Sequence, residues 1–112
     1  QYHPDEVKLP TDIQQINAQL KDFNPGQFTD ALYTDTSCYF FCVKDASVMN
    51  NVLELSNTQL VAVANDWNKR YFSKASNRSL TQQLQESSSS WNYAWDGARK
   101  SLINKLKALG IN

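Results

Sequence analysis

A chain of 112 residues that is 41% apolar, 12% aromatic and 20% charged has material for one core of two layers and no room for a second lobe. Its longest uninterrupted apolar or cysteine-bearing run, Cys38 to Val43, falls far short of the roughly 18 residues a membrane-crossing helix needs, so no membrane span is expected. The formal net charge of zero hides an asymmetry, because residues 1 to 35 hold six acids and two bases whereas residues 69 to 112 hold eight bases and two acids.

Residues 1–10 are polar and broken by Pro4 and Pro10, and they read as an irregular arm. Helical spacing starts after Pro10: an acidic first turn at Asp12 precedes Ile13, Ile16 and Leu20 on one face. Asn24 and Pro25 form a cap and first-turn pair for a second helix carrying Phe28, Ala31 and Leu32, expected to end before Asp35. "SCYFFCVKD" favours strand by composition, but no second strand signal exists to pair with it. A short buried helix capped by Ser37 is therefore expected.

From Asp45 the pattern sharpens. Val48, Val52 and Leu55 share a face, Ser56 caps a new helix, and Leu60, Val63, Ala64, Trp67 and Tyr71 follow at steps of three and four. Ser79 then caps a short helix containing Leu80 and Leu84. The next stretch, "QESSSSWNYAW", admits two readings. Ser87 or Ser88 could continue one apolar stripe from Leu84 to Trp91, or the serines could break the helix and Ser89 or Ser90 could cap another. The break is favoured, since serine hydroxyls compete for nearby backbone groups inside a helix and suit a cap. The last helix then carries Trp91, Trp95, Ala98, Leu102, Leu106 and Leu109 to a stop at Gly110.

The fold class expected is all-α: one domain over 1–112, a compact bundle of five or six helices, with N-terminal helices in 11–42 and a second helical set in 43–112. Its core is expected to hold Ile16, Leu20, Phe28, Leu32, Phe41, Val52, Leu55, Leu60, Val63, Trp67, Leu84, Trp91, Trp95, Leu102 and Leu106.

With these elements placed, residues 43 to 109 resemble an annexin repeat. "KDASVMNNVLELSNTQLVAVANDWNKRYF" is similar to that family's first two helices, with "SNTQL" at the handover and Tyr71 and Phe72 at the exit. "SLTQQLQESSS" resembles its short third helix and acidic closing turn. The resemblance implies topology for this set, as in single repeats of bacterial and phage proteins. It also places Glu86 at the acidic position that completes a calcium site in the family. The Gly-rich loop that would supply the other ligands is replaced by Cys42, Val43 and Lys44, so a solvated or helix-capping Glu86 is the favoured reading over a calcium ligand.

Cys38 and Cys42 stand four apart, too far for a disulfide if helical, so reduced buried thiols are favoured over a bridge. With His3 as the sole imidazole, a cysteine nucleophile lacks a well-placed base and a metal lacks ligands. No Gly-rich phosphate loop or metalloprotease pair is present, and no cofactor is implied. Trp91, Tyr93 and Trp95 near Arg99 and Lys100 invite a base-stacking reading, but helical spacing puts both tryptophans in the core, and nucleic acid is not expected. Arg99, Lys100, Lys105 and Lys107 remain as a basic interaction face on the last helix.

The function expected is a non-enzymatic structural or protein-interaction module, a component of a bacterial or phage assembly, with a protein partner or self-assembly. The second reading is a small exported inhibitor or immunity-type protein that binds a target. The Gln1 start, as a fragment boundary or processed terminus, and the eleven Asn and nine Gln leave an extracytoplasmic or virion-associated setting open.

Overall fold

The computed structural model describes residues 12–37, 44–87 and 92–112, which form six helices and no strand. They are α1 (Ile13–Leu20), α2 (Pro25–Ser37), α3 (Ala46–Leu53), α4 (Asn57–Arg70), α5 (Leu80–Glu86) and α6 (Tyr93–Ala108). The expected all-α bundle is the observed architecture. Of the short helix expected in 37–45, Ser37 instead closes α2, its hydroxyl donating to the Tyr33 carbonyl, and 38–43 lies outside the described residues.

Local chemistry sets most boundaries. Asp12 accepts from the Gln14 N–H at 2.9 Å, Asn24 from Gly26 at 3.0 Å and Asp45 from Ser47 at 2.9 Å, each satisfying a donor that has no partner inside its helix. Ser56 with Gln59 and Ser79 with Gln82 close two reciprocal capping boxes. α5 ends at Glu86, with Ser87 extended as its C-cap, so the expected break after Leu84 is observed. The cap of α6 is Asn92, accepting from Trp95 N–H at 3.0 Å, and not Ser89 or Ser90; both serines lie outside the described residues. At the far end Gly110 takes φ +79°, and Ile111 N–H returns to the Leu106 carbonyl at 2.9 Å, the six-to-one bond of a Schellman stop.

α6 packs against α3 and α5, α2 against α4 and α3, and α1 lies on α4. Trp67 and Trp95 are both fully buried, joined in one cluster by Leu32, Met49, Val52, Leu60, Val63, Leu80, Leu84, Leu102 and Leu106. Nine of these eleven were expected in the core; Met49 and Leu80 were not. Phe28, Leu55 and Ile16 are only half-buried, and Leu20 is 36% exposed. α1 buries no residue fully, because it only leans on α4, held by Gln59 Nε2 donating to the Gln19 carbonyl at 2.9 Å. Phe41 and Trp91 lie outside the described residues.

α2 runs past its expected end. Asp35 does not terminate it, because its carboxylate turns inward to accept from Trp95 Nε1 of α6 and from the Asp45 backbone N–H at 3.2 Å. A carboxylate with buried donors waiting for it stays in the helix.

Candidate functional site

The last turn of α4 faces the first half of α2 and assembles a cluster of charge and aromatic rings there. Arg70 is its centre: Nε donates to Asp66 at 2.9 Å, and Nη2 donates to Asp30 at 2.9 Å, to Thr29 Oγ1 at 2.6 Å and to the Gly26 carbonyl at 3.0 Å. Thr29, fully buried, passes its own hydroxyl proton to Asp66 at 2.6 Å. The absence of a side chain at Gly26 makes room for the guanidinium, since a Cβ there would stand 2.9 Å from Arg70 Nη2.

Tyr71 completes the cluster. Its hydroxyl donates to Asp30, and its ring stacks on Tyr33 with centroids 4.5 Å apart and lies 5.3 Å from the Trp67 ring. Arg70 Cζ and Lys74 Nζ stand 5.1 and 5.5 Å from the same ring. Tyr71's hydrogen bond, with help from Arg70, holds the Asp30 carboxyl below the usual carboxylate range, and the same bond to Asp30 pushes the Tyr71 phenol up. The side chains of Arg70 and Asp30 remain 42% and 58% exposed, so the group is fixed in place and still open to solvent.

A second polar group is closed. Asp35 sits 9% exposed between Trp95 and the Asp45 N–H, Lys44 Nζ donates to the Asp35 carbonyl at 3.0 Å, and Asn92 Nδ2 donates to the Lys44 carbonyl at 2.9 Å. Lys44 Nζ also lies 4.2 Å from the Trp95 ring centroid. Burial pulls the Lys44 ammonium below its ordinary pKa, against the pull of Asp35 in the other direction. Nearby, Gln83 donates to Thr36 Oγ1 at 3.1 Å and Ser87 Oγ to the Gln83 carbonyl at 2.8 Å. These bonds tie the end of α2 to the starts of α3 and α6 and to the end of α5.

The four cations expected as one face of α6 are divided by the fold. Arg99 is 6% exposed, donating to the Leu84 carbonyl at 2.7 Å and to Asp96 at 3.0 Å, where it supplies the C-terminal turn of α5 with a donor. Lys105 is half-buried, with Nζ 3.0 Å from the carbonyls of both Leu53 and Leu55 at the end of α3, and burial lowers its pKa. Only Lys100 and Lys107 stay exposed, Lys100 pairing with Asp96 at 3.3 Å. The reason is positional: two unpaired helix ends lie against α6, and their carbonyls recruit the nearest cations.

Glu86 is the exposed final residue of α5, and among the described residues no group of three acids, histidines or cysteines is placed to hold a metal. Cys38 and Cys42 lie outside the described residues. The cluster around Arg70 was not expected. The available signal was Asp66 and Arg70 at a four-residue interval next to Tyr71, with Asp30 and Tyr33 three apart on α2. Comparison with family models, with curated proteins and with solved structures finds no match to this chain.

Proposed function

We propose that this chain is a non-enzymatic protein-interaction module, a piece of a larger assembly, and that its contact surface is the Asp30, Tyr33, Arg70, Tyr71 and Lys74 cluster on α2 and α4. The observation that carries this is the combination at Arg70 and Tyr71: the residue types that most often dominate protein interfaces, already held in one geometry by neighbours, with Arg70 exposed and Tyr71 half-buried beside it. A partner binding there finds long side chains whose freedom is already restricted, which lowers the ordering cost of association. Two aromatic rings flanked by an acid and two cations suit a protein face with mixed charge and an apolar centre.

The reading is supported from the inside as well. Asp35, Arg99, Lys44 and Lys105 each bind helix ends or loop roots, so the buried polar groups described serve the bundle. The order of α3 to α6, with a tight handover at Ser56 and a short α5, is in keeping with an annexin-repeat-like C-terminal half.

Size-exclusion with light scattering tests the reading, on the purified chain across a concentration series and on complexes recovered with it from its source. Self-association or a stoichiometric partner is expected, lost on Lys74→Glu and kept on the charge-matched Lys107→Glu of α6. A chain that stays monomeric and retains no partner, or a complex indifferent to Lys74→Glu and broken by Lys107→Glu, overturns it.

A further inference from the structure

A cleft on the other side of the α4 exit, independent of the Arg70 cluster, has a different chemistry. Its volume is about 550 Å³, within the roughly 300–1,000 Å³ common for small-molecule sites, and it is lined by Asn68, Phe72, Asn77, Ser79, Gln82 and Asn112. No charged side chain is among them. Phe72 is one of the few large apolar residues left exposed, at 38%, and here it stands among five neutral hydrogen-bonding side chains.

The walls are held by backbone bonds. Phe72 N–H reaches the Trp67 carbonyl at 3.0 Å, and Asn77, in the left-handed region at φ 60°, donates its N–H to the Phe72 carbonyl at 2.9 Å. Thr81 Oγ1 donates to the Ile111 carbonyl at 2.9 Å, which brings Asn112 beside the first turn of α5. Gln82 Oε1 is committed to Ser79 N–H at 2.9 Å, leaving its amide hydrogens to point elsewhere. The side chains of Asn68, Asn77 and Asn112 make no hydrogen bond to other described residues.

We propose that this cleft is a binding subsite for a neutral saccharide. Each free amide offers a donor and an acceptor side by side, the pattern that vicinal hydroxyls, themselves donors and acceptors, can satisfy. An exposed ring gives the apolar C–H face of a pyranose a surface to cover. Without a cationic side chain in the lining, phosphate and carboxylate ligands lose their usual attraction, and without a carboxylate side chain, metal ions lack the set of charged oxygens they need. An open cleft of this size has room for one or two sugar rings.

The test is a titration of the full chain, followed by ¹H–¹⁵N correlation spectra, with cellotriose, maltotriose and triacetylchitotriose, and with glycerol as a hydroxyl-matched control. At least one trisaccharide should shift the signals of Asn68, Asn77 and Gln82, side-chain amides included, along a saturable curve, while glycerol does not. Phe72→Leu, which keeps apolar volume and removes the ring, should weaken that affinity at least tenfold, and Phe72→Trp should retain it. Asn68→Ala, at an exposed position without a partner, should weaken it several-fold and serves if Phe72→Leu lowers the melting temperature. The proposal is overturned by no saturable shift at these residues with all three sugars, by equal shifts from glycerol, or by Phe72→Leu and Asn68→Ala both binding as the unsubstituted chain does.

Discussion

Replacing Asp35 with alanine removes the acceptor shared by two donors, Trp95 Nε1–H and the Asp45 backbone N–H. The site is 9% exposed, so solvent screens little of the loss. A buried donor left without an acceptor costs about 1–3 kcal/mol, which for two gives roughly 2–6 kcal/mol. The substitution also relieves the desolvation of a carboxylate, which pulls the expected loss towards the lower half, about 3 kcal/mol. Asp35→Asn keeps one acceptor but sets an amide donor against the other N–H donor, so it should cost about as much, roughly 3 kcal/mol. For a domain of this size that is a large share of the ~5–15 kcal/mol available. The assay is urea unfolding followed by tryptophan fluorescence, with Trp95→Phe and the double variant closing a cycle. Coupling between Asp35→Ala and Trp95→Phe of about 1 kcal/mol or more is expected. Single-variant losses under about 0.5 kcal/mol, typical of an ordinary surface position, together with zero coupling, refute the role assigned to this carboxylate.

Arg99→Met removes the donor from the Leu84 carbonyl and half-strips Asp96, and should cost about 2–4 kcal/mol in the same assay, whereas Lys100→Met, at an exposed site, should stay within about 0.5 kcal/mol. Gly110→Ala meets no atom within 4 Å but must adopt φ +79°, so a thermal melt should record a loss of about 1–2 kcal/mol arising from the backbone alone. The Tyr71 phenol is raised by its bond to Asp30, so its contribution is complete below the ordinary value of 10.0 and is lost as pH rises through its folded pKa. A ring-signal NMR titration should show Asp30→Asn moving that pKa down towards 10.0. Millimolar calcium should leave the melting temperature unchanged, given that no group of three acids, histidines or cysteines forms around Glu86 among the described residues; a rise that Glu86→Ala abolishes would instead establish an annexin-type site.

Caps and stripes were legible in the sequence because they are local. Asn24, Ser56 and Ser79 act within three residues of where they stand, and Leu60, Val63 and Trp67 recur at the helical period whatever they pack against. Asp12, read as part of an acidic first turn, stands one position earlier as the cap of α1. Arg99 and Lys105, read as part of an outer basic face, and Asp35, read as lying past the end of α2, were misplaced for the converse reason: each is drawn inward by a group 10 to 60 positions away. The same blindness hid the site. Asp30 meets Tyr71 only because α2 lies along α4, a relation that neither segment encodes by itself. Asn92, the cap of α6, also donates to the Lys44 carbonyl 48 positions away, a tie that its own neighbourhood in the sequence does not show.

The bond from Trp95 to Asp35 spans 60 positions, and it fixes an order of events during synthesis. A nascent chain that has emerged only through α5 holds a carboxylate at the end of α2 whose indole donor has yet to be made. That end stays hydrated until α6 arrives. Closure of this bond between α2 and α6 thereby waits until α6 is present.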